Sequence, residues 1–437
     1  MPSIREELED WLRIPSVSAG GGNPDAIARA CDWVIERIEA AGGSAEPLSL
    51  NGSNPMAVGE LRAGRDDAPT VLAYGHYDVQ DPGPPDAWES PPFEPTERDG
   101  RLYARGAADD KGNFLPLLHV ACELARAGEL PVNVRFLVEG EEEVGSEALI
   151  HHLRDQPPDV DAAIIFDSLM ADERTPAINT GVRGALSGPV EVRTAARDLH
   201  SGLFGSAVLN AANVLVDILR EVLPDSRGRV REELRRGVVP PSEAERESWS
   251  RLPNGADVLA EAGAVEVTEG AAAEFWERTG SDTSADVNML DGGAPRTLIP
   301  AVARAYLSLR LAPGQSADEI AGEVERLLRA ALPTGAELSV AFDRADPALF
   351  DAEDPVLQLA AGAFERACGT PPVFVRLGGT LPFLSVLADQ GVPTIVSGFA
   401  LPADAFHAPN ESYRLESLRL GELAARELYR SLADLTR

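Results

Sequence analysis

Three short apolar runs constrain the fold of this 437-residue chain more than any other feature of the sequence. Residues 70–74, 132–138 and 162–166 are rich in β-branched and aromatic side chains, as buried strands are. Between the first two runs, residues 114–127 repeat apolar side chains at helical spacing. Strands that alternate with helices predict an α/β domain whose sheet is covered on both faces.

The pattern changes from about residue 184. Residues 189–192 are strand-like and residues 207–222 helix-like, and further strand-like and helix-like segments follow before residue 345. This order suits a small α+β layer inserted into the first domain. The expected division is 1–183 for the first part of that domain, 184–345 for the insertion and 346–437 for the second part.

The charge of the chain limits its partners. Seventy-one acidic and 39 basic residues give a net charge of −32, which should repel the phosphate backbone of nucleic acids. The N-terminal residues include acids where a signal peptide has its apolar core, and no apolar stretch is long enough to span a bilayer. We therefore expect a cytoplasmic protein with neither a nucleic-acid nor a membrane partner.

Histidine and carboxylate side chains follow the predicted strands. His76 and Asp78 come directly after the first run, Glu142 and Glu143 after the second, and Asp167 after the third. The carboxyl ends of strands in an open α/β sheet are where ligands bind. Several carboxylates at one such edge would repel one another unless a cation neutralised them. The two adjacent glutamates could divide the roles of base and ligand.

Two further segments could complete such a site. Asp109 and Asp110 lie between glycines just before a predicted helix, where capping of the helix N-terminus alone would explain them. His407 lies beyond a predicted strand at 393–396. Nitrogen and oxygen ligands with an open coordination position suit Zn²⁺ or Mn²⁺. The histidines in helical patterns are more simply explained as structural or solvated: His119, His151 and His152.

Taken in order, these motifs resemble the M20 family of metallopeptidases over nearly the whole chain. The matching motifs are the His76-x-Asp78 pair, Gly106-Ala-x-Asp-Asp-Lys-Gly112, Glu139-Gly-x-Glu-Glu-x-Gly-Ser146, Asp167 and His407. Five motifs in a fixed order are far more specific than any one of them. The resemblance implies an α/β/α catalytic domain with a mixed sheet and an inserted α+β lid and dimerisation domain.

The resemblance also implies two divalent metal ions, Zn²⁺ first and Mn²⁺ or Co²⁺ as alternatives. Asp109 would bridge them, one ion also binding His76 and Asp167, and the other binding Glu143 and His407. A paired site of this kind lowers the pKa of water and polarises the scissile carbonyl.

The same resemblance implies roles for residues that do not bind metal. Glu142 would be the general base for a water molecule between the ions, and Asp78 would orient the ligand His76. A cis peptide bond is implied between Asp109 and Asp110.

Residues 197–205 resemble the dipeptidase branch of the family, which includes carnosinase-like enzymes. In those relatives the histidine of this segment, here His200, reaches the active site of the partner subunit, so a homodimer is implied. An arginine such as Arg310 suits a free carboxylate, although a salt bridge on an exposed strand would also explain it. For His200 the alternative is a helix-capping or loop histidine. The further positions that the resemblance marks as substrate-binding are Thr297, Arg310, Gly378, Gly379 and Thr380.

Three functions remain open at this point. The favoured one is a dinuclear metal-dependent hydrolase that cleaves dipeptides or small peptides with a free carboxylate. The second is an N-acyl or N-carbamoyl amino-acid amidohydrolase with the same activation of water. The third is a non-catalytic homologue, which ordinarily would have lost a ligand or the base, and none is missing here.

Overall fold

The computed structural model describes residues 2–19, 22–379 and 381–435. The chain forms two compact units, the first made of the residues up to Thr180, Phe350–Val375 and the residues from Val386 onward. The second unit comprises Gly181–Leu349 and Arg376–Ser385. The short segment Arg376–Ser385 differs from the predicted division, which assigned it to the catalytic domain. The guanidinium of Arg376 is buried against Glu245 of the second unit, with Nε 2.8 Å from Oε1, and this pair holds the segment there.

The described residues form the following helices: α1 Ile4–Leu12, α2 Pro24–Ala40, α3 Lys111–Ala127, α4 Glu147–Asp155, α5 Ser201–Phe204, α6 Ala211–Leu219, α7 Glu243–Trp249, α8 Gly255–Glu261, α9 Phe275–Gly280, α10 Ala317–Ala331, α11 Pro355–Cys368, α12 Pro382–Asp389 and α13 Leu415–Leu432.

The strands in the same residues are β1 Ser44–Leu48, β2 Met56–Leu61, β3 Thr70–His76, β4 Thr96–Arg98, β5 Arg101–Tyr103, β6 Asn133–Glu139, β7 Ala162–Phe166, β8 Ala177–Val182, β9 Gly184–Arg193, β10 Leu199–His200, β11 Ser284–Asp291, β12 Leu298–Ile299, β13 Val302–Leu311, β14 Glu337–Val340, β15 Asp343–Ala345, β16 Ala348–Leu349, β17 Val373–Leu377, β18 Thr394–Ser397 and β19 Ser412–Arg414.

The first unit is built on a mixed sheet, as the fold prediction requires. Its strands run in the order β1-β2-β6-β3-β7-β18-β8. The central strands β6, β3, β7 and β18 are parallel neighbours, whereas β1, β2 and β6 pair antiparallel. Every residue of β3 and β7 is buried, as expected for strands with helices over both faces. The carboxyl ends of the parallel strands therefore meet at one edge.

Helices of the first unit pack on this sheet and on one another. Helix α2 packs against β1 and β2, and α3 packs against α1, α13 and β3. Helix α3 begins at Lys111, directly after Asp109 and Asp110, and ends at Ala127; the capping residue that follows is Gly128, whose positive φ of 72° suits glycine. Among the described residues, no helix combines the length and the apolar character that crossing a membrane requires.

The second unit contains an antiparallel sheet on which two of its helices pack. The ten-residue strands β9 and β13 pair along their whole length, and the order of the sheet is β11-β13-β9-β14. Helices α6 and α10 pack against each other and against this sheet. Strand β11 forms an edge of the sheet and exposes the apolar side chains of Val287, Met289 and Leu290.

Candidate active site

The candidate ligands lie at the shared edge of the parallel strands. His76 is the last residue of β3, is completely buried, and lies opposite Glu139 of β6 in the parallel register. Glu142 and Glu143 form a short 3-10 turn after β6, and Asp167 directly follows β7. The topology therefore brings together side chains that are far apart in sequence.

Two groups of potential metal ligands share one carboxylate. One group is His76, Asp109 and Asp167, the other is Asp109, Glu143 and His407, and within each the ligand atoms lie within 4.8 Å of one another. Asp109 Oδ1 is 3.1 Å from His76 Nε2, and Asp109 Oδ2 is 3.0 Å from His407 Nε2. The two oxygens of this carboxylate thus face two different histidines, which is the arrangement that a bridging ligand requires.

The chemistry of these side chains fits divalent cations. Two imidazoles and three carboxylates form a nitrogen and oxygen donor set typical of zinc and manganese sites. Glu143 Oε2 lies 3.1 Å from His407 Nε2, while the buried Oε1 has no hydrogen-bond partner in the part of the chain that the structure describes. A buried oxygen without a partner is costly unless a cation or water satisfies it.

Hydrogen bonds to carboxylates favour the protonated forms of both candidate histidine ligands, and a bound cation would replace those protons. Hydrogen bonds to Asp109 and Glu143 raise the pKa of His407 to about 10. Burial opposes the charged form of His76, but its hydrogen bonds to Asp109 and Asp78 raise its pKa well above the usual value. Burial raises the pKa of Glu142 as well. Metal binding at such a site is therefore coupled to proton release.

Asp78 is fully buried and holds several parts of the site in place. Its main-chain oxygen is 3.0 Å from His76 Nδ1, which leaves Nε2 as the ring nitrogen that faces Asp109. Its carboxylate accepts hydrogen bonds from the backbone N–H groups of Glu142 and Glu143, each at 3.2 Å. Asp78 therefore positions the adjacent glutamates as well as the histidine.

The loop that carries Asp109 is held by a residue that the sequence analysis missed. The peptide bond between Asp109 and Asp110 is cis, as the resemblance implies. The carboxylate of Glu411 is completely buried and accepts hydrogen bonds from Arg105 Nη1 at 2.7 Å and from the backbone N–H groups of Gly106, Ala108 and Asp109 at 2.8–3.1 Å. The only signal in the sequence was its position four residues after His407.

The only lysine of the chain, Lys111, anchors the N-terminal segment beside this loop. Its Nζ donates to the main-chain oxygens of Trp11 at 3.1 Å and Ile14 at 2.9 Å. Burial lowers the pKa of this amine to about 7.

The second unit brings together some of the predicted substrate-binding residues. Arg310 lies on β13 opposite Ser284 and Ala185. Arg183, which the sequence analysis did not single out, donates from Nε to the main-chain oxygen of Gly378 at 3.2 Å. Burial, together with the positive charge of Arg310, lowers the pKa of Arg183 to about 10. A second arginine therefore lies beside the predicted one.

We call the segment 378–380 the glycine loop. Gly379 is exposed, and Thr380 lies outside the described residues.

His200 and Thr297 lie at the paired strands β10 and β12, His200 as the last residue of β10 and Thr297 directly before β12. His200 ends β10 and pairs with Leu298 of β12, which follows Thr297 directly. His200 Nδ1 accepts a hydrogen bond from the backbone N–H of Gly202 at 3.1 Å and so caps α5. Both His200 and Thr297 are exposed. Within one chain, the contact of His200 is therefore the helix-capping contact named as the alternative.

A third group of potential ligands lies between α3 and α13, formed by His119, Glu123 and Glu422. Arg426 Nη2 is 2.7 Å from Glu123 and 3.6 Å from Glu422, so an arginine already neutralises these carboxylates.

The chain is similar to known proteins over most of its length. A model of the family described as Peptidase family M20/M25/M40 matches residues 72–430. A cysteinylglycine-S-conjugate dipeptidase from Corynebacterium striatum is 29% identical over 422 residues, which cover 94% of this chain and 91% of that protein. The human Beta-Ala-His dipeptidase is 29% identical over 335 residues, which cover 73% of this chain and 66% of that protein. The solved structure of the M20 family metallo-carboxypeptidase Sso-CP2 from Sulfolobus solfataricus is 25% identical, with a TM-score of 0.84 and complete coverage of both chains.

Proposed function

Since the chain belongs to peptidase family M20/M25/M40 and is therefore an enzyme that hydrolyses peptides, we propose that it is a dinuclear metallodipeptidase. Its substrates would be dipeptides or small peptides with a free carboxylate. The proposal of two metal ions rests on the two carboxylate oxygens of Asp109, each of which lies about 3 Å from a different histidine. The dipeptide part is supported by the names of similar proteins from Corynebacterium striatum and human.

Family membership implies divalent metal ions. We propose two of them, with Zn²⁺ as the first choice and Mn²⁺ or Co²⁺ as alternatives, because the donor set is nitrogen and oxygen. When bound, such ions supply Lewis acidity, which lowers the pKa of water and polarises a carbonyl group. The residues that would hold them are His76, Asp109, Glu143, Asp167 and His407.

In this proposal Glu142 moves the proton. Its Oε2 lies 3.9 Å from His76 Nε2, and its backbone N–H is held by the Asp78 carboxylate. The Glu142 carboxylate would take a proton from the attacking water and give it to the leaving amine nitrogen. Because Glu143 follows directly in the same short turn, one glutamate can serve as ligand while its neighbour serves as base.

The arginines of the second unit would bind the free carboxylate of the substrate. Guanidinium groups match carboxylates with paired hydrogen bonds, and burial of Arg183 beside Arg310 concentrates positive charge at one place. Arg183 also holds Gly378, so the glycine loop and the arginine pair would contact the same end of the substrate.

Exposed apolar side chains on the second unit support the proposal of a homodimer. Leu203 and Phe204, just after His200, are 78% and 42% exposed. The exposed apolar side chains of edge strand β11 add to this surface. Exposed apolar patches of this kind mark contact surfaces. We propose that a second copy of the chain covers them and that His200 reaches the partner's active site, where it would donate to the substrate carbonyl oxygen. A cytoplasmic location stays a prediction.

A substrate panel tests the proposal. Metal-free protein resupplied with Zn²⁺ or Mn²⁺ would be given free dipeptides, N-acetyl and N-succinyl amino acids, and N-carbamoyl amino acids. Metal-dependent cleavage of dipeptides above all other compounds is the expected result. Preference for an acyl or carbamoyl compound would make the protein an amino-acid amidohydrolase instead. No cleavage of any compound, with metal bound, would contradict the assignment of a working catalytic site.

A further inference from the structure

We propose that Ser18 is a positioning residue of the metal centre, which acts through Asp78 on the ligands His76 and Glu143. This inference rests on the proposed metal ligands but not on the identity of the substrate.

The hydroxyl of Ser18 makes a short hydrogen bond inside the site. Ser18 Oγ donates to Asp78 Oδ2 at 2.6 Å, a distance typical of a hydroxyl bound to a carboxylate. Asp78 is fully buried, so no bulk water can replace this donor without rearrangement. The same oxygen, Oδ2, also accepts the backbone N–H of Glu143 at 3.2 Å. Ser18 therefore fixes the very oxygen that holds the ligand Glu143.

The effect of Ser18 extends to the rest of the ligand set through Asp78. The other carboxylate oxygen, Oδ1, accepts the backbone N–H of Glu142 at 3.2 Å and lies 3.4 Å from His76 Nδ1. If the carboxylate turned after loss of the Ser18 hydroxyl, both glutamate amides and the histidine ring would lose their common support. Residues that orient metal ligands in this way contribute strongly to metal affinity.

The backbone around Ser18 is held by main-chain hydrogen bonds. Val79 N donates to Ser16 O at 3.0 Å and Ser18 N donates to Val79 O at 3.4 Å, so the segment lies alongside the residues that follow β3. Lys111 Nζ donates to Ile14 O at 2.9 Å and ties the preceding residues to the start of α3. A positioning group is most effective when its own backbone is fixed.

Ser16 offers a matched control in the same segment. Its Oγ donates to the main-chain oxygen of Tyr77 at 2.6 Å, a bond as short as that of Ser18, and the residue is completely buried. It joins the same two segments but does not contact the Asp78 carboxylate. If the serines only hold the segments together, the two alanine variants should behave alike.

The test measures the Zn²⁺ affinity of the metal-free protein by competition with a chelator, without any substrate. Ser18→Ala is expected to weaken the affinity about 10- to 100-fold, the range typical of residues that orient metal ligands. Ser18→Thr keeps the hydroxyl and should bind like the wild type, as should Ser16→Ala even where its thermal stability falls. Unchanged affinity in Ser18→Ala, equal loss in Ser16→Ala, or a loss in Ser18→Thr as large as in Ser18→Ala would overturn the proposal.

The outcome separates this inference from the proposed function. A wild-type protein that binds Zn²⁺ but cleaves no dipeptide would refute the proposed activity and leave the affinity comparison readable. A wild-type protein that binds no Zn²⁺, Mn²⁺ or Co²⁺ would overturn both.

Discussion

Replacement of Arg310 by methionine is expected to remove recognition of the substrate carboxylate while leaving the fold intact. Arg310 is exposed on β13, so the change removes no buried side chain from the core. A hydrogen bond to a charged group contributes about 1.5–3 kcal/mol, and each ~1.4 kcal/mol is tenfold in rate. We therefore expect kcat/KM for a free dipeptide to fall roughly 10- to 150-fold.

The assay compares a dipeptide with the same compound carrying a C-terminal amide. The wild type should prefer the free acid, and Arg310→Met should lose this preference, mainly through KM if the contact is equally strong in ground and transition states. Arg304→Met is the control, because Arg304 occupies the same face of the same strand and is paired with Glu191 at 2.7 Å. Retained preference in Arg310→Met, or equal loss in Arg304→Met, would refute the reasoning.

Four other predictions test separate parts of the structure. Glu142→Gln should keep its bound metal but lose roughly 10²- to 10⁴-fold in kcat, and either metal loss or full activity would contradict its role as base. Hydrogen bonds to two carboxylates raise the pKa of His407 to about 10, so below that pH a metal ion must displace a proton from this histidine. The metal affinity measured by calorimetry should therefore rise with pH, and binding should release protons. A metal affinity that does not change with pH would contradict this prediction. Arg376→Met removes the guanidinium that neutralises the buried carboxylate of Glu245 and should cost about 3–5 kcal/mol in urea unfolding, with partial recovery when Glu245 is also made methionine. Chains of His200→Ala and Glu142→Ala, each inactive alone, should regain partial activity when mixed as heterodimers, and no recovery despite confirmed exchange would place His200 outside the partner's site.

The elements that the sequence predicts well are those with a strong burial pattern. Strand β7 coincides with the predicted run Ala162–Phe166 because every one of its residues is buried, which leaves an uninterrupted apolar signal. Helix α10 is one of the helix-like segments predicted before residue 345, because its apolar stripe is regular and Ser316 caps its first turn. The grouping of His76 with Asp167 follows from the same signal, since parallel strands end at the same edge.

Long-range hydrogen bonds and exposed strands leave no such pattern in the sequence. Glu411 accepts the N–H of Ala108 across 303 residues, and any residue type except proline could supply that donor. The hydrogen bond from Ser18 to Asp78 joins residues 60 positions apart, and the segment that contains Ser18 carries no motif. Strand β11 was not predicted because its outer residues are exposed on both faces, so neither alternation nor a continuous apolar run marks it.

Because the chain has a single lysine, a lysine-specific protease can probe one site of the folded protein. A protease that cuts only after lysine has one bond to attack within these 437 residues, between Lys111 and Gly112. Lys111 is completely buried, with its amine bonded to the carbonyls of Trp11 and Ile14. Cleavage therefore requires the start of α3 to detach from the N-terminal segment. The rate at which the two fragments appear would measure how often the start of α3 opens locally. Bound metal should slow this cleavage, because the candidate ligand Asp109 lies two residues before Lys111.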